Sequence, residues 1–203
     1  MRSLLLATTN PHKIEEFRAI FADLPFQLLS LADVSLADMD VEETGTTFQQ
    51  NAELKALAYT KASNMLSLAD DSGIEIDAFD GAPGVYSARF LGVDTSYEER
   101  FRVILERLHG LPDAQRKARY RCVICIAEPS GYHRSVDGIL EGFIADEPRG
   151  KGGFGYDPIF LVPEFGKTAA ELPPEVKNRI SHRGRAAKLA HPLLEEWPVS
   201  TQK

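Results

Sequence analysis

The sequence is short of cysteine, of long apolar runs and of positive charge. Only Cys122 and Cys125 occur, too few to staple a secreted scaffold, and this scarcity favours a cytoplasmic protein. Their C-x-x-C spacing would suit redox or zinc chemistry. The flanking residues 120–127 are instead apolar and β-branched, a strand pattern that sends positions three apart to opposite faces. No second Cys or His pair stands at zinc spacing. The longest apolar runs, residues 4–7 and 159–162, fall far short of the ~18 residues that span a bilayer, so no membrane association is expected. Met1-Arg2-Ser3 leads into a run that ends at Thr8-Thr9-Asn10-Pro11, which is not a signal-peptide pattern. With 23 basic against 30 acidic residues the formal charge is -7, which disfavours nucleic acid as a partner.

What is present is an ordinary globular composition: 203 residues, 43% hydrophobic and 26% charged. That length suits one domain or two small lobes. The charge is unevenly placed. Asp33, Asp38, Asp40, Glu42 and Glu43 fall in residues 33–50 without a basic residue. Lys167, Lys177, Arg179, Arg183, Arg185 and Lys188 crowd residues 167–191 against only Glu171 and Glu175. Two solvated faces would explain this, and so would a site that holds a metal and a phosphate chain.

Apolar periodicity predicts strands at 4–7 and 26–31 and amphipathic helices at 11–23, 47–65, 96–108 and 174–190. The middle, residues 119–144, reads as strand-rich. Asp70-Asp71-Ser72-Gly73 reads as a turn between apolar stretches 66–69 and 74–76. The alternation suggests an α/β or α+β protein.

Four segments carry chemistry. Asn10 and Pro11 are a favoured N-cap and first helical residue, so Thr8 to Lys13 would present a helix N-terminus and an ammonium to an anion. Adjacent Asp70 and Asp71 point to opposite sides, so one can face a cleft, ligate a cation or take a proton from water, while the other serves structure. An aspartic protease also carries Asp-Ser-Gly on a strand, but long helical segments surround the motif here. Gly150-Lys151-Gly152-Gly153-Phe154-Gly155 matches G-x-G-x-x-G. A strand, not a helix, is predicted after it, which excludes a dinucleotide fingerprint and suits a loop approaching a ligand closely. Gly166-Lys167-Thr168 resembles the tail of a phosphate loop, but Leu161 stands where that motif needs glycine. Lys177, His182 and Arg183 could touch one ligand only if the helix predicted there breaks.

Taken in order, these segments resemble the inosine triphosphate pyrophosphatase family, the dITP/XTP pyrophosphatases. The matching stretches are residues 7–13 (ATTNPHK), 42–45 (EETG) with Thr47-Phe48, Asn51-Ala52 and Lys55-Ala56, 69–73 (ADDSG), 81–89 (GAPGVYSAR), 152–158 (GGFGYDP), 167–172 (KTAAEL) and 181–184 (SHRG). The resemblance implies an α/β fold, an elongated mixed sheet with flanking helices and two lobes around a central substrate cleft, as a single unit over residues 1–203. It implies a homodimer and Mg²⁺-dependent hydrolysis of inosine and xanthosine triphosphates, deoxy forms included, to monophosphate and pyrophosphate. By position, Thr8, Thr9, Asn10, Pro11, His12 and Lys13 would hold the triphosphate. Glu42 and Asp71 would bind Mg²⁺, and Asp71 would also accept the proton of the attacking water. Ser72 would touch substrate, and Lys55 and Arg89 would stabilise phosphate charge. Phe154, Gly155, Tyr156, Asp157, Lys177, His182 and Arg183 would hold base and sugar. Thr9 stands where many members carry glycine, Pro11-His12 replaces smaller or more polar pairs, and the segment around Ser130-Gly131-Tyr132 is short for the family.

Two alternatives stand beside this reading. One is a pyrophosphatase for modified pyrimidine nucleotides, related to septum inhibitors, which should lack the 154–157 and 181–183 motifs. The other is a non-catalytic nucleotide-binding protein, which would be expected to have lost Asp71 or Lys13.

Overall fold

A computed structural model describes residues 2–197; Met1 and residues 198–203, the ends of the expected 1–203 unit, lie outside the described residues. The chain begins as strand β1 (Arg2–Leu6), helix α1 (Pro11–Ile20) and strand β2 (Phe26–Ser30). Helix α2 (Phe48–Ser63) leads into β3 (Ser67–Ile76), α3 (Tyr97–Arg107) into β4 (Lys117–Ala127), and β5 (His133–Ile144) follows as a hairpin. Short strands β6 (Phe160–Val162) and β7 (Lys167–Thr168) precede α4 (Pro174–Ile180) and α5 (His182–Glu195). The strands form one seven-stranded mixed sheet in the order β2-β1-β3-β4-β5-β6-β7. β2, β1 and β3 run parallel, and the remaining neighbours are antiparallel. This is the expected α/β class.

The period of two along β3 distributes its side chains. Leu68, Ile74 and Ile76 point to the face covered by α1 and α5 near one end and by α3 near the other. Ala69 points to the face covered by α2, where it packs with Ala52, Ala56 and Tyr59. Cys122 and Cys125 obey the same rule: both are free and buried, one in each face's core. Burial pushes both thiols up, Cys125 to about 11, so neither is a reactive thiolate.

One expectation fails instructively. Asp70, Asp71, Ser72 and Gly73 are not a turn but the middle of a continuous ten-residue β3. Local turn propensity loses because each of the four pairs in register with β4, opposite Ile124, Val123, Cys122 and Arg121. The other edge of β3 is only partly covered. β1 pairs with it at Ser67 and Leu68 and then departs toward α1. Beyond, Ile74 N donates to Ser87 Oγ (2.9 Å) and Glu75 bridges to Pro83. Between these contacts lies an uncovered stretch that carries Asp71 and Ser72, and a cleft opens there.

Two further boundaries differ from expectation. The helix predicted over 174–190 breaks at Ser181, which ends α4 and caps α5 by accepting from the Gly184 amide (3.0 Å). Gly184 permits the sharp corner, since a Cβ there would lie 1.8 Å from the Asn178 carbonyl oxygen. After the glycine-rich loop, residues 157–159 form a 3₁₀ turn, so the strand expected over 159–162 begins one residue later as β6.

Candidate active site

The cleft has a volume of about 630 Å³. Of the residues singled out from sequence, Thr8, Thr9, Asn10, Lys13, Glu42, Lys55, Asp71, Ser72 and Arg89 line it, as do Phe154, Gly155, Tyr156, Asp157, Lys177, His182 and Arg183. Pro11 and His12 do not. Pro11 is spent as the first residue of α1, and the His12 ring stacks on Phe154 with centroids 5.1 Å apart.

α1 is capped as its sequence foretells. Asn10 Oδ1 accepts from the His12 and Lys13 amides (3.0 and 3.3 Å), and Thr8 Oγ1 accepts from the Asn10 amide (3.2 Å). The cap thus occupies amides that the bare motif offered to an anion, and Lys13 is the charge the segment presents. Its ammonium lies 2.9 Å from Asp70, whose side chain is fully buried.

From Asp70 a chain of charge pairs crosses the molecule beneath the cleft. Arg183 reaches Asp70 (3.2 Å), Ser72 Oγ (2.9 Å) and Glu16 (2.6 Å). Lys177 pairs with Glu16 (2.9 Å) and Asp157 (2.5 Å). Asp157 also accepts from the Phe154 amide (2.9 Å) and the Tyr120 hydroxyl (3.1 Å). The α4–α5 break that sequence required is what lets Lys177 and Arg183 meet at Glu16. Burial works against the charged Asp70, but Lys13, Arg183 and Lys55 outweigh it and hold its carboxyl well below the usual range. Glu16 is held down in the same way by Arg183 and Lys177 against burial. His182 stacks on Tyr120 (centroids 4.6 Å, 18°). Burial, reinforced by Arg183 and Lys177, pushes His182 well below its ordinary range, so it is neutral, and its Nδ1 has no partner among the described residues.

Asp71 faces the other way. Asn51 and Lys55, one turn apart on α2, both aim at it: Asn51 Nδ2 donates to Oδ2 (3.1 Å), and Lys55 Nζ lies 3.3 Å from Oδ1. Asn51 Oδ1 meanwhile accepts from the Gly45 amide (2.8 Å), fixing the acidic loop against α2. Lys55 also pairs with Glu43 (2.6 Å), and Glu43 with Arg89 (3.2 Å). Burial raises the Asp71 carboxyl; Lys55 opposes this and Glu43 adds to it, and the net direction is up. A carboxyl raised from its ordinary value is a better proton acceptor.

The donor set fits a hard divalent cation. Asp71 and Glu43 both lie within ion-pair distance of one ammonium, and Glu42 lines the same wall. Magnesium typically takes one or two carboxylates and completes its shell with substrate oxygens and water. The described residues hold no cluster of three or more His, Cys, Asp or Glu that could hold a metal ion.

Sequence reasoning passed over Glu16 as a site-organising group, Glu43 as the partner of Lys55 and Arg89, and Tyr97 and Tyr120 as cleft walls. Glu16 stands three residues after Lys13 on one helix face, but nothing local says that it meets Lys177 and Arg183. Tyr97 and Tyr120 carried no local signal.

A mixed sheet whose uncovered strand edge bears a carboxylate, flanked by lysines and an aromatic wall, defines an α/β protein built around a phosphate-compatible cleft. The chain belongs to the Ham1 family, whose model matches residues 4–192. It is 45% identical over 195 residues to a dITP/XTP pyrophosphatase of Bacillus subtilis (96% of this chain, 98% of that protein). It is 48% identical over 190 residues to one of Geobacter sulfurreducens (93% and 94%). Among solved structures, a HAM1 protein from Coxiella burnetii superposes with a TM-score of 0.87 at 42% identity, covering 97% of this chain and 100% of that one. The Ham1 protein of Staphylococcus aureus gives 0.85 at 41%, covering 96% and 98%.

Proposed function

We propose that this protein hydrolyses non-standard purine nucleoside triphosphates (ITP, dITP and XTP) to the monophosphate and pyrophosphate, clearing them from the nucleotide pool. The observation that carries the reading is Asp71: a buried carboxylate, raised from its ordinary value, on the cleft wall between Asn51 and Lys55. The names of the relatives support it, as does retention of both Asp71 and Lys13, against a non-catalytic protein. The paired 154–157 and 181–183 motifs favour purine over modified pyrimidine substrates.

In this scheme Asp71 accepts a proton from water, the water oxygen attacks the α-phosphorus, and the bond to the bridging oxygen breaks so that pyrophosphate leaves. Lys13, Lys55 and Arg89 stabilise negative charge spreading over the phosphoryl oxygens. Asn51 orients Asp71. Glu42 and Asp71 would hold Mg²⁺, which when bound supplies charge neutralisation for the phosphate chain. Ser72 touches substrate, and Thr8, Thr9 and Asn10 shape the phosphate end. Phe154, Gly155, Tyr156, Asp157, Lys177, His182 and Arg183 form the nucleoside end, where donors aimed at a 6-oxo group would leave a 6-amino base unpaired. We read the chain as one two-lobed unit that works as a cytoplasmic homodimer, on the strength of the family resemblance. No helix among the described residues is long and apolar enough to cross a membrane.

The test is incubation of the protein with Mg²⁺ and a panel of ITP, dITP, XTP, dATP and dGTP, scoring pyrophosphate against orthophosphate. Pyrophosphate from the first three alone supports the reading; equal rates on all five, or orthophosphate as product, contradicts it.

A further inference from the structure

Tyr97 is the first residue of α3, after the Ser96 cap, and nothing in helix formation requires an aromatic there. Its side chain nonetheless turns into the cleft, beside Phe154, Gly155 and Tyr156. Three neighbours fix the ring. Tyr156 meets it edge-on (centroids 5.3 Å, 87°), Phe101 packs one turn along (6.1 Å), and the Arg100 guanidinium lies over its face, 4.8 Å from the centroid. Arg100 is itself only 2% exposed. It forms no ion pair among the described residues; one nitrogen donates to the Gly92 carbonyl (3.0 Å), the guanidinium also meets the Tyr156 hydroxyl, and its Nε has no hydrogen-bond partner among the described residues. A buried cation without a carboxylate is costly, and here its position is set against an aromatic face, the arrangement of a cation–π contact.

The ring is thus held firmly while its hydroxyl is left free. The Tyr97 hydroxyl hydrogen-bonds no described residue, in contrast to Tyr120, which donates to Asp157, and Tyr156, which donates to the Ser87 carbonyl (2.8 Å). It lies opposite Gly155, where a Cβ would come within 3.7 Å of the Tyr97 oxygen. A fixed ring with an unused hydroxyl in a cleft loses little entropy on making a hydrogen bond to a ligand.

We infer that Tyr97 is a further specificity-determining contact, its hydroxyl hydrogen-bonding the purine base of the substrate, and that Arg100 is its positioning residue. Tyr97 sits with Tyr156 and Gly155, residues read above as the nucleoside end, whereas Lys13, Asp71 and Lys55 are read as the phosphate end. The inference rests on the reading of the cleft as a purine nucleotide site.

The test compares wild type with Tyr97→Phe, which keeps the ring and removes the oxygen. The expected result is a KM for ITP and for dITP raised by the same factor, about two- to tenfold for one lost neutral hydrogen bond, with kcat and melting temperature unchanged. Inhibition by inorganic tripolyphosphate, which lacks a nucleoside, should not change. Arg100→Met should raise KM in the same way, Arg100→Lys should restore part of the loss, and adding Arg100→Met to Tyr97→Phe should cost less than it does alone. Unchanged KM in Tyr97→Phe would overturn the inference. So would an equal shift in tripolyphosphate inhibition, or a changed ratio of ITP to dITP, which would place the contact on phosphate or sugar. If wild type does not hydrolyse ITP, the functional reading fails, and calorimetric binding of IMP to wild type and Tyr97→Phe then tests the contact by itself.

Discussion

Asp70 and Asp71 are adjacent, chemically identical and both buried, yet their surroundings drive them in opposite directions. Asp70 meets Lys13 and Arg183 on one face of the sheet and is held firmly ionised. Asp71 meets one lysine and one amide on the other face, has Glu43 near it, and is pushed up. The strand's period of two creates the difference, because it hands consecutive side chains to different helices. The Asp70 side is a charge network that ties α1, α4 and α5 to the sheet. The Asp71 side carries the carboxylate to which we assign the chemistry.

The comparison can be broken most severely at Asp71. Asp71→Asn should lower kcat by about 10²–10⁴-fold, the usual worth of a general base. It also removes a buried charge that burial penalises, so thermal melting should show the fold as stable as wild type or more so. Near-normal turnover would end the assignment.

The next largest effect is expected at Asp70. Asp70→Asn leaves Lys13 and Arg183 short of a partner and should cost about 3–5 kcal/mol, typical of breaking a buried ion pair. Denaturant titration measures it. A loss no larger than that of Asp71→Asn would erase the distinction between the two sides.

Acid should act on the same network. Asp70 and Glu16 have carboxyls held below their unfolded values, so their contribution to stability is fully present above those unfolded values and is lost as pH falls through the folded ones. Unfolding free energy should therefore decline below about pH 5, and Glu16→Gln should flatten that decline. A profile unchanged by Glu16→Gln would show that the network does not couple to folding.

The smallest effect concerns His12. His12→Ala removes the stack on Phe154 and should change KM for ITP by about two- to tenfold, since an aromatic pair contributes roughly 0.5–1.5 kcal/mol. It should leave tripolyphosphate inhibition as it was; a larger effect on tripolyphosphate would return His12 to the phosphate end.

Much of this arrangement was legible in the sequence, and the misses have physical causes. The Asn10-Pro11 cap, the opposed aspartates and the inert cysteines follow from local rules that tertiary structure did not override. The turn read at Asp70 to Gly73 was wrong because those residue types favour turns in isolation, whereas here β4 supplies strand partners along the whole stretch. Lys177 and Arg183 were traceable together, but Glu16, which joins them, belongs to a helix more than 150 residues away in the chain. Glu43 and Glu42 are neighbours in a loop, and no periodicity says which will meet Lys55. Tyr97 enters the cleft through its contacts with Arg100 and Tyr156, which only the folded chain reveals.

The division between the two aspartates is tested most directly by a carbon-detected NMR titration of their side-chain carboxyls in the metal-free protein. Asp71 should titrate above the ordinary aspartate value of 3.8 while Asp70 stays ionised well below it. Titration of the two together, or in the reverse order, would contradict the account.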